Sequence, residues 1–234
     1  MERLLKIALE ASAAAYKHID QSGYAKLETK SHLTDYVTNL DKESEAVIRE
    51  HLDKTGIPVL GEEMGGEMDL EYTWVVDPID GTHNFITNTP LFGINIALFK
   101  EGQVVLGHTL LPKLLESYTC IKGQGVYLNN KALEPLVSSE ITKPFIATPK
   151  DPMSSRARAV RSIGAASVEM AWVAKGSFSG VSYLSVMPWD VAPGLLFITE
   201  LGGVATSPNP GGSIYIDSLI TGERATLSEL GYSI

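Results

Sequence analysis

"VVDPIDGTHNF", residues 75–85, sets aspartates on either side of a Pro-Ile pair and runs straight into Gly-Thr. Asp77 closes the apolar run "YTWVVD", which reads as a short buried strand. Pro78 biases the residue before it toward extended backbone, so the strand is expected to end with Asp77 at its tip. Asp80-Gly81-Thr82 then turns the chain, and "HNFI" reads as a short helix with Asp80 as its expected N-cap. Such a helix start aims the N–H groups of Gly81 and Thr82 outward, a seat for a phosphate. Two carboxylates facing one cavity raise each other's pKa unless a cation lies between them. Oxygen ligands with no matching His or Cys point to Mg²⁺ or another hard ion rather than zinc. His83, a lone histidine after a turn, is expected to face solvent. Alone, Asp-Gly is also an ordinary turn dipeptide.

Two more acidic clusters bear on that choice. "GEE" at 61–63 places Glu62 and Glu63 after the apolar "IPVL", and "PWDVA" places Asp190 at an expected helix start. Helical spacing is expected over residues 1–21 and about 41–54, the second with Asp41 as N-cap. Residues 91–128 alternate and turn repeatedly, with Lys-Glu-Gly between two apolar runs, and read as antiparallel strands. "AASVEMAWVAKG" returns to helix and stops at Gly176; strand-like "GVSYLSV" follows, then a helix from Asp190 to Gly202-Gly203. Helices, then sheet, then alternating strand and helix predict a layered α+β fold. Pro135, Pro144, Pro149 and Pro152 mark a soft boundary, giving halves of 1–140 and 141–234 in one integrated catalytic unit.

Composition narrows the function classes. The 234 residues are 44% hydrophobic and 20% charged, an ordinary soluble balance. A net charge of −9 argues against general affinity for nucleic acid or anionic membranes. No apolar run is long enough to span a membrane, and the N-terminus lacks a signal peptide's basic start. The single cysteine, Cys120, fits a reducing cytoplasm and reads as a strand residue rather than a nucleophile.

Together "GEE" at 61–63, "DPIDGTHNF" at 77–85, "WD" at 189–190 and "DYVTNLD" at 35–41 resemble the signature segments of the inositol monophosphatase family. That family is Mg²⁺-dependent and lithium-sensitive, and its superfamily includes fructose-1,6-bisphosphatases. The resemblance covers about residues 25–206 and implies a layered αβαβα sandwich, a small phosphomonoester substrate and a homodimer. It implies that Glu62, Asp77 and the Ile79 carbonyl hold a first Mg²⁺ and that Asp77, Asp80 and Asp190 hold a second. A third ion near Glu62, or Mn²⁺ in place of Mg²⁺, is compatible with it. Thr82, paired with Asp35, is implied to take the proton of the attacking water, with Glu62 alongside as a catalytic carboxylate. Gly81 and Thr82 hold the phosphate, and Lys30 stands where a mobile-loop lysine is usual. No covalent intermediate is implied.

Two departures bear on the substrate. Where inositol-specific members carry a glutamate before the Trp-Asp pair, this chain has Tyr183, which cannot accept from two hydroxyls as a carboxylate does. Gly164, Ala165 and Ala166 fit the family's substrate loop, and read equally as a tight helix start of small residues. The chain is also short between 145 and 160, which bears on pocket shape and dimerisation; Arg156, Arg158 and Arg161 at its end read as a solvated basic surface, with contact to a second anionic group of the substrate as the alternative. Fructose bisphosphate, a phosphoadenosine 3′-phosphate, histidinol phosphate or a specialised sugar phosphate are the alternative substrates. A non-catalytic sugar-phosphate-binding regulator is the alternative from another class.

Overall fold

In the computed structural model, which describes residues 1–22, 27–29, 36–68, 71–136, 145–147, 159–206 and 216–230, the chain opens with helix α1 (Glu2–Ser22). Strands β1 (Leu27–Thr29) and β2 (Tyr36–Thr38), helix α2 (Asn39–Leu52), β3 (Val59–Gly61), β4 (Tyr72–Asp80) and α3 (Thr82–Ile86) follow. Next come β5 (Gly93–Lys100), β6 (Gln103–Leu111), β7 (Glu116–Ile121), β8 (Val126–Leu128), β9 (Lys131–Ala132), β10 (Phe145–Ala147) and β11 (Val160–Arg161). The chain continues through α4 (Ala166–Ala174), β12 (Gly180–Val186), α5 (Pro188–Glu200), β13 (Val204–Ala205), β14 (Ile216–Gly222) and α6 (Arg224–Leu230).

A seven-stranded sheet runs β3 to β9 in sequence order, with β3 parallel to β4 and every later pair antiparallel. The turn between β5 and β6 is the "KEGQ" hairpin: Lys100 pairs with Gln103, and Glu101 and Gly102 both take left-handed φ, 50° and 75°. That is the primed geometry whose twist matches the strands it joins. A second sheet has the order β11-β10-β12-β14-β13.

Alternation along β4 sorts the layers. Trp74 and Val76 pack with Ala8, Ala11 and Ile48 of α1 and α2, on one face of the large sheet. Val75, with Ala97 and Phe99 of β5, faces Val168 of α4 and Phe197 of α5. The far sides of those two helices, through Met170 and Leu195, meet Val181 and Leu219 of the second sheet. Helix and sheet layers therefore alternate, the stack that the family resemblance implies. Phe197 is fully buried, and its truncation to alanine costs about 3–5 kcal/mol by ordinary core energetics. Gly194 lets α5 lie against α4, since a methyl there would overlap Met170. Cys120 is buried in β7, and burial pushes its thiol up, away from nucleophilic character. Among the described residues, no helix is long and apolar enough to cross a membrane.

Four boundaries differ from the sequence expectation. β4 runs on through Asp80, with a register shift between Asp77 and Asp80. Pro78 has no N–H for the ladder, so the strand bulges past it instead of stopping. α3 is preceded by Gly81 at φ 86°, so the residue capping it is Gly81 and not Asp80. α2 begins at Asn39 and α5 at Pro188, which puts Asp41 and Asp190 inside first turns rather than at caps.

Candidate active site

Because Asp77 shares a face of β4 with Val75, it points toward α5, and there it meets Asp190. Carboxylate oxygens of Glu62, Asp77 and Asp190 all lie within 4.8 Å of one another. Three different elements deliver them: the loop after β3, the bulge of β4 and the first turn of α5. Asp77 is 1% exposed, and one of its oxygens accepts the Ile79 N–H at 3.0 Å, an Asx turn across the bulge. Burial, then the neighbouring charges of Glu62, Asp80 and Asp190, raise its pKa well above the carboxylate range. Burial, then Asp80 and Glu62, do the same to Asp190. Carboxylates this close, Asp77 buried and Glu62 and Asp190 half-buried, fit a hard cation, which favours the charged forms that burial and mutual repulsion oppose.

α5 is held in place by a substitute hydrogen bond. Pro193 has no N–H for the carbonyl four residues back, Trp189. Asn95 of β5, the register partner of Asp77, extends its amide to Trp189 O at 3.3 Å and Asp190 O at 3.0 Å. Its own oxygen accepts the Thr109 hydroxyl at 2.7 Å. The Asp190 carboxylate in turn accepts the Met187 N–H at 3.0 Å and closes the first turn.

Asp80 stands beside this cluster, with one oxygen accepting the Ser167 N–H at 2.5 Å at the start of α4. Burial, foremost, raises its pKa to about 7. Thr82 lies across from it: its hydroxyl is 3.2 Å from Asp41 Oδ1 and 3.1 Å from the Ile79 carbonyl. One hydroxyl hydrogen faces two acceptors, so the oxygen's lone pairs remain for a third group. Among the described residues the acidic partner of Thr82 is thus Asp41; the expected pairing with Asp35 involves a residue outside them. Asp35 and Lys30 lie outside the described residues, as do Arg156 and Arg158.

Gly81 must be glycine for space as well as for its φ. A methyl there would come within 2.8 Å of the Ala165 methyl and 3.2 Å of Leu91 O. Asn84 fastens the same contact, donating to Leu91 O at 2.8 Å and Ile163 O at 2.9 Å. The Gly164–Ala166 stretch therefore lies against the turn at Gly81, with Gly164 exposed, Ala165 buried and Ala166 half-buried. Tyr183 is buried, and its hydroxyl donates to Glu169 Oε2 at 2.7 Å. The other Glu169 oxygen accepts the N–H groups of Ile163 at 2.8 Å and Gly164 at 3.2 Å. His83 is exposed.

Sequence reasoning did not single out Asp41 as a site residue, nor Asn95 or Glu169. For Asp41 the signal was the second aspartate of "DYVTNLD"; for Asn95, its register with Asp77 opposite a helix containing proline. Glu169 had only its place in a first helical turn.

The sequence pattern of the inositol monophosphatase family matches residues 1–231. The chain belongs to that family. The inositol-1-monophosphatase of Bacillus subtilis is 34% identical over 223 residues, 86% of this chain and 84% of its own length. A fructose-1,6-bisphosphatase/inositol-1-monophosphatase of Aquifex aeolicus is 32% identical over 209 residues, 82% of this chain and 78% of its own. Among solved structures, the extragenic suppressor protein suhB of Bartonella henselae superimposes with a TM-score of 0.83 at 25% identity, covering 100% of this chain and 99% of that one. Membership supports phosphatase chemistry in a metal-dependent family, and the different names among relatives leave the substrate open.

Proposed function

We propose that this chain is a Mg²⁺-dependent phosphomonoesterase acting on a small polyol or sugar phosphate. The observation that carries the reading is the Glu62–Asp77–Asp190 cluster beside the Thr82–Asp41 pair. Glu62, Asp77 and the Ile79 carbonyl hold one ion, and Asp77, Asp80 and Asp190 hold a second. Bound there, Mg²⁺ acts as a Lewis acid that makes a water more acidic and offsets charge on the phosphoryl oxygens.

The chain's own groups complete the reaction. The Thr82 oxygen accepts a proton from the attacking water while its own hydrogen passes toward Asp41. Backbone N–H groups of Gly81 and Thr82 orient the phosphate, as fixed dipoles at a helix start do. Water attacks phosphorus opposite the leaving alkoxide, the P–O ester bond breaks, and the alkoxide takes a proton from a solvent water and leaves as the alcohol. Gly164–Ala166 and Tyr183 line the leaving-group side.

Fructose 1,6-bisphosphate is the second substrate reading, favoured by the double name of the Aquifex aeolicus relative. The engaged Tyr183 hydroxyl favours it too, since no carboxylate stands at that position to receive inositol hydroxyls. The enzyme works in the cytoplasm as a homodimer on this reading. Phosphate release from inositol 1-phosphate, fructose 1,6-bisphosphate, a phosphoadenosine 3′-phosphate and histidinol phosphate, with and without Mg²⁺ and lithium, tests it. Mg²⁺-dependent release from at least one of them, inhibited by lithium, is expected; no release from any refutes it.

A further inference from the structure

One face of α2 touches both halves of the candidate site. Asp41, Glu45 and Arg49 stand at i, i+4 and i+8, so they share a stripe along the helix. Asp41 reaches Thr82. Glu45 has a fully buried side chain and accepts the N–H groups of Glu63 at 2.7 Å and Met64 at 3.2 Å. Arg49 clasps Glu45 through Nε and Nη2, both at 2.8 Å from Oε1. The same guanidinium donates to Val59 O at 3.1 Å and Gly65 O at 2.5 Å.

Those acceptors and donors bracket Glu62. The loop that carries it is pinched shut by a pair of hydrogen bonds between Gly61 and Gly65, at 3.0 and 3.1 Å. Arg49 holds the strand before the loop and the residue that closes it; Glu45 holds the two N–H groups after Glu62. Gly61 is shaped to this clamp, because a methyl there would overlap the Glu45 carboxylate. A buried carboxylate so fully engaged is costly to assemble unless each partner stays in place, which gives the loop one arrangement.

We propose that Glu45 and Arg49 are positioning residues that fix Glu62 for the cation, and that α2 couples this ligand to the Thr82–Asp41 pair. The inference rests on the metal-dependent reading above. Neither side chain touches the reacting atoms. Groups that orient metal ligands typically change metal affinity about 10–100-fold when altered. Arg49→Lys keeps the positive charge and loses the planar fork that spans Glu45, Val59 O and Gly65 O. Glu45→Gln keeps the shape and loses the charge facing Arg49.

Mn²⁺ binding by the full chain without substrate, followed by calorimetry, tests this, with hydrogen exchange at the Glu63 and Met64 amides as a metal-independent reading. Expected are a dissociation constant raised at least about tenfold in both variants and faster exchange at those amides. Turnover lost at low metal is recovered as metal saturates. If Glu45→Gln does not fold, Arg49→Lys alone carries the test. Native-like Mn²⁺ affinity in folded Arg49→Lys, with native binding intact, overturns the positioning role and leaves the proposed function standing. Absence of Mn²⁺ binding by the native protein overturns both.

Discussion

Thr82 points its hydroxyl at Asp41 Oδ1 across 3.2 Å, joining residues 41 positions apart in the chain. The contact ties the turn after β4 to the first turn of α2, and Asp41 is only 2% exposed. An aspartate this buried, with a hydroxyl beside it, is suited to receive a proton through that hydroxyl. Thr82→Ala and Asp41→Asn are each expected to lower kcat on the order of 10²–10⁴-fold, the usual worth of a general base. Because they act as one unit, the double variant should lose little more than either single one. Steady-state kinetics at saturating Mg²⁺ on the three variants gives the answer, and additive losses would separate the two residues.

His108 offers a pH test away from the site. It is fully buried, with one ring nitrogen 2.7 Å from Ser12 Oγ and the other 2.9 Å from Tyr118 O. Burial, the dominant cause, lowers its pKa from 6.5 to about 4. A histidine depressed in the folded state contributes stability fully above the unfolded value; the contribution is lost as pH falls from 6.5 toward 4. The loss is on the order of 3 kcal/mol. His108→Gln, which can both donate and accept, is expected to be less sensitive to acid across that window. Urea denaturation of both proteins at several pH values reads the difference.

Asn95 satisfies the carbonyl that Pro193 leaves without its helical partner. Asn95→Leu strands Trp189 O and the Thr109 hydroxyl and removes the side-chain donor from Asp190 O. The expected cost is about 2 kcal/mol of stability, together with weaker Mg²⁺ activation because Asp190 is no longer tethered. Thermal denaturation and the Mg²⁺ concentration for half-maximal activity measure the two effects separately.

The acidic cluster makes stability depend on metal and pH together. Asp80 rises from 3.8 to about 7, and Asp77 and Asp190 rise as well. A carboxyl raised in the folded state stabilises below its unfolded value, and that contribution disappears as pH climbs from 3.8 through about 7. A bound cation favours the ionised forms, so the Tm gain from Mg²⁺ is expected to be larger at pH 8 than at pH 5. Paired melting curves with Mg²⁺ and with a chelator isolate this term from the opposite trend of His108. An equal gain at both pH values would contradict it.

Much of this fold was legible because its signals are local. The "KEGQ" hairpin, the buried apolar run "YTWVV" and the Gly176 stop each depend on residues adjacent in the chain. The carboxylates of the site could be named for the same reason, since "GEE", "DPIDGT" and "WD" are short strings. What sequence left hidden were pairings between distant elements. Nothing within "DYVTNLD" says which aspartate faces Thr82; that depends on α2 beginning at Asn39 and turning Asp41 inward. Pro78 correctly signals a break in pairing, but a bulge and a strand end share that signature, and only the Asp80–Gly93 pairing separates them. Glu45 and Asn95 bind backbone groups far along the chain, Glu169 binds the N–H groups of Ile163 and Gly164 just before its own helix, and a backbone N–H or carbonyl leaves no mark in a sequence.

The central claim is that buried Asp77 and its neighbours hold the ion on which phosphate release depends. The direct measurement is phosphate release by the native protein and Asp77→Asn, each with Mg²⁺ and with the metal chelated, on the phosphomonoester turned over fastest. The account predicts native turnover that vanishes on chelation, and a loss on the order of 10³-fold in the variant at any Mg²⁺ concentration. Native turnover that survives chelation, or Asp77→Asn as active as the native protein, would contradict it.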